Sequence, residues 1–416
     1  MFIRRLFLPL VTICGLAAFA AYAVLLATAD AAFRQNTLFS AQTAVRLVPS
    51  SASYHSLLAE VLEEAGASPD DELRRATALS PRESRYWIRR AFRAEVEGKY
   101  DESEQFLLEA HRVDRGFDPR WALMNYYFRR GNIPQFWVSA REALEMSYGD
   151  LEPIFRLCIA VNNDPAFTAQ MLPHRRTILL SFFAWLLRQN RMESISPIAA
   201  QLAAEAEPED VPLLVGYCDR QMGHDNQSSL TVWNSLCRRH MVGFSELDPG
   251  RGDIVTNPDL VAASLRQGFD WRYNSTPAIA AKPLDTGQGI SFEITGFQPD
   301  LVAILDEEIP LTPGKQYVLN YEYRLIGDQP DSGLQWVVRR VGVSEYASDS
   351  TVAASSVLAG TDWNTGHMEF SAARLDAARL ILQYRRSPGT VRWKGTVQIR
   401  RVTSGLAPAQ SATPGK

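Results

Sequence analysis

Few residues in this chain are spaced for chemistry, and the nearest candidates are acids. Asp306, Glu307 and Glu308 are consecutive. Paired carboxylates can act as acid and as base or nucleophile in glycoside hydrolysis. Three acids closing an apolar run read more simply as a solvated strand end. The six histidines are scattered and form no H-E-x-x-H and no close pair at ligand spacing. The four cysteines, Cys14, Cys158, Cys218 and Cys237, lack C-x2-C spacing, so no structural zinc is expected. The last three lie in apolar helical stretches and read as small buried thiols. A Cys218–Cys237 disulfide is the alternative, if their helices adjoin in an oxidising compartment. There is no G-x-S-x-G and no phosphate loop. Asp285 and Asp306 would serve a metal only in the manner of calcium-stabilised sandwiches. The expectation is no catalytic residue, no metal, no cofactor and no enzymatic activity.

A second kind of chemistry needs no reactive group. Sugar recognition uses aromatic faces against pyranose C–H surfaces, with polar side chains beside them. Tyr346 and Trp363 are the better candidates because they sit in or beside loops, with Trp271 and Tyr273 next. Trp336 and Tyr384 alternate with apolar neighbours and are expected in a core.

The composition sets outer bounds. The chain has 416 residues, 46% of them apolar and 22% charged, with a formal net charge of -4. That is a globular composition with room for two or three domains. It lacks the basic footprint of a general nucleic-acid binder, so no nucleic acid is expected.

Six segments make up the chain that must position these residues. The first is an N-terminal anchor or signal, residues 1–30. Arg4 and Arg5 precede a stretch without charge from Leu6 to Ala29. A helix needs about 20 apolar residues to cross the hydrocarbon core. The arginines should remain cytoplasmic, which leaves the bulk on the far side of an inner membrane. The small-x-small sequence Ala27-Thr28-Ala29 keeps a cleaved signal, and so a secreted or periplasmic chain, as the alternative.

Helical repeats are expected over 31–148. Tyr54, Leu57, Leu58, Val61, Leu62 and Ala65 fall on one helical stripe. Trp87, Ala91 and Ala94 face Ser103, Phe106, Leu107, Ala110 and Val113 across a turn at Gly98-Lys99. The turn glycines Gly66, Gly98 and Gly131 recur at intervals of 32 and 33 residues. Helical signal continues without clear phase over 149–242, with the apolar run Thr177–Leu187 expected as a buried helix. Composition then shifts: 243–256 reads as linker. Short alternating strands follow over 257–403, as in Gln316–Arg324, where Tyr317, Leu319, Tyr321 and Tyr323 share a face. The tail 404–416, rich in Ala, Pro and Ser, is expected to be disordered.

The pattern Trp87-x3-Ala91-x6-Gly98-x-Tyr100-x2-Ser103-x6-Ala110 resembles a tetratricopeptide repeat, a family with a period of about 34 residues. Three units in phase carry this resemblance, although Arg90 stands where the family prefers leucine. It implies that the first helix of each pair lines a groove. That role falls to Ser56, Glu60 and Glu63, then to Arg85, Ile88, Phe92 and Glu95, then to Trp121, Asn125 and Phe128. Mixed charge with exposed aromatics would suit a peptide segment of a partner protein. The alternative places Phe92, Trp121 and Phe128 in the core.

The β region resembles the sandwich of carbohydrate-binding modules and galactose-binding-like domains. The carriers are Asn257-Pro258-Asp259-Leu260 with Gly268-Phe269-Asp270-Trp271, then Pro313-Gly314-Lys315-Gln316-Tyr317, and Trp393-Lys394-Gly395. Together the two regions resemble bacterial membrane-anchored repeat proteins associated with envelope polysaccharide systems. The fold expected is therefore α then β: an N-terminal transmembrane helix, an α-solenoid of hairpins and a C-terminal antiparallel β-sandwich or jelly roll. The resemblance implies a scaffold that binds other envelope proteins or peptides in its groove, with a polysaccharide as the second class of partner and the inner membrane engaged through Leu6–Ala29.

Overall fold

The computed structural model describes residues 2–261, 264–273, 275–327, 331–343 and 350–408. Among these residues fourteen α-helices precede nine β-strands. The chain divides into two compact units, Met1–Ile178 and Leu179–Lys416.

The first unit is built of helical hairpins. Helix α1 (Phe2–Phe33) turns at Thr37 into α2 (Leu38–Leu47). Thr37 caps α2 reciprocally with Ser40, which satisfies two free backbone N–H groups. This first hairpin was not foreseen, because the α1 sequence reads only as a membrane segment. Its last turns belong to the fold: Ala29 is fully buried, and the Phe33 ring lies 5.1 Å from that of Tyr54.

The expected repeats follow. They pair α3 (Ala52–Glu64) with α4 (Asp70–Leu79), α5 (Ser84–Val96) with α6 (Tyr100–Val113), and α7 (Phe117–Arg130) with α8 (Ile133–Met146). Ala91, Ala94, Ser103, Leu107 and Ala110 are buried where α5 and α6 close on each other. Small side chains there let the helix axes approach. Gly131 ends α7 in the left-handed region at φ +67°, which a Cβ would disfavour. Arg90 departs from the repeat pattern, yet it packs. Its guanidinium lies 4.0 Å from the Phe106 ring centroid and donates to Thr77 Oγ1 at 3.3 Å. Burial, then repulsion from Arg74, pushes its pKa below the usual arginine value. The unit continues with α9 (Glu152–Val161) and α10 (Pro165–Met171), the latter capped by Asp164.

Helix α11 (Arg176–Arg188) spans the division, and α12 (Ser196–Ala204), α13 (Val211–Gln221) and α14 (Asn226–Arg238) share the second unit with the strands. Phe182, Phe183, Trp185 and Leu186 of α11 are buried, as its all-round apolarity predicts. Cys158, Cys218 and Cys237 are free thiols, not a disulfide. Burial pushes the thiols of Cys158 and Cys237 up to about 12, and that of Cys218 higher still, so they are inert packing residues.

The strands are β1 (Ile279–Pro283), β2 (Ile290–Ile294), β3 (Leu301–Pro310), β4 (Gln316–Ile326), β5 (Leu334–Arg340), β6 (Thr351–Ala354), β7 (Asn364–Ser371), β8 (Ala377–Arg385) and β9 (Gly395–Leu406). They form an antiparallel five-stranded sheet in the order β1-β2-β9-β4-β7 and an antiparallel four-stranded sheet in the order β3-β8-β5-β6. Alternation in β4 sends Tyr317, Leu319 and Tyr321 into the core, where they meet Trp271, Phe292, Trp336, Tyr384 and Trp393. β1 and β6 are edge strands that sequence alternation did not single out.

Residues 243–256, read as a linker, are folded onto the sandwich. Ile254 joins the core, and the Pro249 carbonyl accepts from the Tyr317 hydroxyl at 2.9 Å. Beside them, Gly268-Phe269-Asp270-Trp271 fastens the sandwich to the last helix pair. Asp219 of α13 accepts from Gly268 N and from Arg272 Nη2, each at 2.7 Å. Trp233 of α14 is stacked on Phe244 and edge-on to Phe269.

Candidate functional site

The inner helices of the first unit bring the expected groove residues onto α3, α5 and α7. Their charges do not stand free. Arg89 Nη1 donates to Glu60 Oε2 at 3.0 Å and to both the carbonyl and the hydroxyl oxygen of Ser56 at 3.2 Å. Ser56 is buried beneath this contact, so it does not line an open groove. Arg93 reaches Glu63 at 3.8 Å, Asp70 at 3.6 Å and Glu97 at 2.7 Å. Arg129 holds Glu95 through two bonds of 2.8 and 2.7 Å. That bidentate partner, against the cost of burial, raises the pKa of Arg129 above the usual value. Arg85 turns back on its own helix, its guanidinium 4.9 Å from the Tyr86 ring centroid and 3.7 Å from Glu83.

The result is a ladder of ion pairs between successive inner helices. Exposed pairs of this kind contribute about 0–1 kcal/mol each. Their larger effect is on recognition, because most groove carboxylates already have partners. The arginines Arg89, Arg93 and Arg129 were missed from sequence. The available signal was their spacing, about one repeat beyond the acids they meet.

Apolar groups remain open. On α5, Ile88, Phe92 and Val96 follow at intervals of four residues, with Ile88 half-buried, Phe92 44% exposed and Val96 77% exposed. On α7, Trp121 is half-buried and stacked on Phe117 at 5.9 Å. Phe128 is half-buried, 6.1 Å from Phe136. Asn125 spends its amide on the Trp121 carbonyl at 2.8 Å. A strip of aliphatic and aromatic surface, edged by neutralised charge, can take an apolar segment.

The sugar candidates fare unevenly. Trp271 is 1% exposed, edge-on to Trp336 at 6.0 Å, and its indole N–H is directed at the Asn257 carbonyl. It is a core residue with no free face for a pyranose. Tyr273 is half-buried between Phe292 and the guanidinium of Arg266, 4.6 Å from its centroid. Tyr346 lies outside the described residues. Trp363 is half-buried on the outer face of the five-stranded sheet, with Arg400 3.9 Å and Arg324 5.4 Å from its ring centroid. Around it Arg324 donates twice to Gln398 Oε1, at 3.0 and 2.7 Å. Arg400 and Arg401 donate to the two oxygens of Glu322 at 2.6 and 2.9 Å. Against the cost of burial, these two guanidiniums hold the Glu322 carboxyl below the usual carboxylate range.

The acids of β3 alternate between faces. Asp306 is bound by Arg379 at 2.9 Å. Glu307 points the other way, fully buried, and accepts from Thr256 N at 2.6 Å. Burial drives its pKa well above the ordinary value, with a further rise from nearby Asp270. Burial also raises Glu308. The three do not face one another across a cleft. Among the described residues no group of three or more His, Cys, Asp or Glu is placed to hold a metal ion.

No protein-family model matches this sequence, and no curated protein matches it. Among solved structures, parts of the chain are similar to several. A family 4 carbohydrate-binding module is 12% identical at a TM-score of 0.25, over 33% of this chain and 88% of that one. The CBM22-1 xylan-binding domain of Xyn10C from Paenibacillus barcinonensis is 11% identical at a TM-score of 0.24, over 34% and 87%. Pseudomonas aeruginosa PilF is 16% identical at a TM-score of 0.25, over 53% and 92%.

Proposed function

We propose that this protein is a non-enzymatic scaffold, anchored in a bacterial inner membrane by α1, whose helical repeats hold an apolar segment of a partner envelope protein. The observation that carries the reading is the open strip Ile88–Phe92–Val96 on α5, beside carboxylates that already have partners. A groove with this balance favours side chains such as Leu, Phe or Met over a charged peptide.

The anchor follows from α1. Within Thr12–Phe33 an 18-residue window reaches a mean hydropathy of 1.9, and 6% of that window is buried. From Leu6 to Leu25 the helix rises about 30 Å, the thickness of a hydrocarbon core. Retention rather than cleavage is supported by Ala27-Thr28-Ala29, which lies inside a continuous helix with Ala29 buried against the fold. Arg4 and Arg5 favour a cytoplasmic N-terminus, with the repeats and the sandwich on the periplasmic side.

The test is photo-crosslinking from positions 92 and 96 in the full-length, membrane-inserted protein. Crosslinks to an apolar segment of an envelope protein, lost when Val96→Asp is combined with a probe at 92, are expected. Retention of every partner by a chain whose strip has been made acidic would defeat the scaffold.

A second reading is favoured by the polar outer face of the five-stranded sheet, where Arg324, Gln398, Arg400 and Glu322 surround Trp363. Planar polar groups beside an indole suit a polysaccharide. Trp363→Ala should then abolish retention on polysaccharide in affinity electrophoresis, and unchanged retention would exclude this face.

A further inference from the structure

The two edges of the hairpin stack differ in charge, and α1 fixes which of them meets the membrane. Helix α2 is joined to α1 by a short turn and runs back along it for ten residues, about 15 Å. Its far end, the turn from Val48 to Ser51, therefore returns to the level at which the exposed apolar surface of α1 begins. Every later turn that closes one hairpin and opens the next lies on this same edge. Ser84 Oγ donates to Asp114 Oδ2 at 2.6 Å and so ties two such turns together. The turns inside the hairpins share the opposite edge, where Arg93 meets Asp70 and Arg129 meets Glu95.

The α1-side edge is basic at its first three turns, 48–51, 80–83 and 114–116; the fourth, 147–151, carries Asp150. Arg46, Arg82, Arg85, Arg112 and Arg115 are exposed along the first three. Among the described residues no carboxylate lies within 4 Å of Arg46, Arg82 or Arg115. The acids at these three turns are Glu83, Glu109, Asp114 and Asp118, and three of them are committed, Glu109 to Arg112 at 2.8 Å. Asp114 accepts from Ser84 and from Gly116 N at 2.7 Å, and Glu83 faces Arg85 at 3.7 Å. The opposite edge carries Glu63, Glu64, Asp70 and Asp71 around its 65–69 turn and Glu97 and Glu102 around its 97–99 turn, with Arg93 set among Glu63, Asp70 and Glu97, Lys99 on Glu97 and Arg74 on Asp71. Exposed Leu79 stands next to the second basic turn, placed to dip among lipid headgroups.

We infer that the basic edge is a lipid-binding surface that rests on anionic headgroups and holds the stack at a fixed attitude to the bilayer. A surface charge of this kind acts within a Debye length, about 8 Å at physiological salt, which the direct continuity of α1 with the stack provides. The inference rests on the reading of α1 as a membrane span. It adds that the helical unit lies on the membrane by its basic edge rather than standing clear on a tether. The opposite edge is then turned away from the lipid and left open.

The test uses the full chain in nanodiscs of phosphatidylcholine, with or without phosphatidylglycerol. Single cysteines at Pro81→Cys, on the basic edge, and Ser68→Cys, on the opposite edge, are placed in a Cys14→Ala background and carry a fluorophore. The remaining cysteines are buried. Quenching by headgroup-nitroxide lipid is expected to be stronger at 81 than at 68, to increase with phosphatidylglycerol, and to fall with salt or in Arg82→Glu/Arg115→Glu. Equal quenching at the two positions, or indifference to phosphatidylglycerol and to charge reversal, overturns the inference. A label on native Cys14, quenched by an acyl-chain nitroxide, reports the span separately. If Cys14 is quenched while 81 and 68 are alike, the basic edge fails alone. If Cys14 is not quenched, the span fails and the lipid surface with it.

Discussion

Replacing Gly268 by alanine should loosen the grip of the sandwich on the last helix pair. Gly268 has φ +65°, in the left-handed region, where an L side chain costs about 1–2 kcal/mol. An added Cβ would stand 2.5 Å from Cζ3 and 3.0 Å from Cε3 of Trp233, and 3.3 Å from Cγ1 of Val215. Trp233 cannot yield easily, because it is fully buried between Phe244 and Phe269. Overpacking of this kind costs about 1–3 kcal/mol. The two effects together give about 2–5 kcal/mol. Gly98 supplies the control. It has φ +76° and nothing within 4 Å of its would-be Cβ, so Gly98→Ala should cost only the backbone part. Urea unfolding followed by tryptophan fluorescence compares the midpoints of the two variants. Limited proteolysis within residues 243–256 reports release of the sandwich directly. If Gly268→Ala is no more damaging than Gly98→Ala, and residues 243–256 stay protected, the steric account of this glycine is wrong.

Other expectations follow from burial and charge. Glu307 keeps its proton in the fold at pH values where the unfolded chain has released it, so stability should fall as pH rises above the unfolded value near 4.5. The slope attributable to this group reaches about 1.4 kcal/mol per pH unit, and Glu307→Gln should remove it while still accepting from Thr256 N. Parallel stability profiles for the two proteins from about pH 5 to pH 8 would contradict this. Ala110→Leu should destabilise the first unit by about 1–3 kcal/mol, because Ala110 is fully buried against α5, whereas Ala78→Leu at an exposed site should be nearly neutral; thermal midpoints decide. Phe92→Asp should leave stability within about 0.5 kcal/mol yet abolish partner capture, and a large loss of stability would move Phe92 from the binding strip into the core.

The repeats were legible because they are local. A helix face recurs every three or four residues, the turn glycines recur once per repeat, and both can be counted along the chain. Strand alternation in Gln316–Arg324 is equally local, and it correctly turned the odd-numbered residues of β4 inward. The edge strands β1 and β6 were not legible, since a short strand without a two-faced environment has no reason to alternate. The candidate groove residues lie on α3, α5 and α7, but their electrostatic state was not readable. Glu95 and Arg129 meet only after two helices stack, and no pattern within either helix foretells the pair. Trp271 is the sharpest case: it stood among the candidates for a sugar face, and tertiary contact instead drew Gly268 against Trp233, Arg272 onto Asp219 and the indole into the core. The apolar run at the N-terminus, the phase of the hairpins and the alternation of the strands were thus fixed by the order of residues alone. Which charges are spent, which aromatics are free and which edge of the stack meets α1 were decided by contacts between segments far apart in sequence, because those energies exist only once the segments touch.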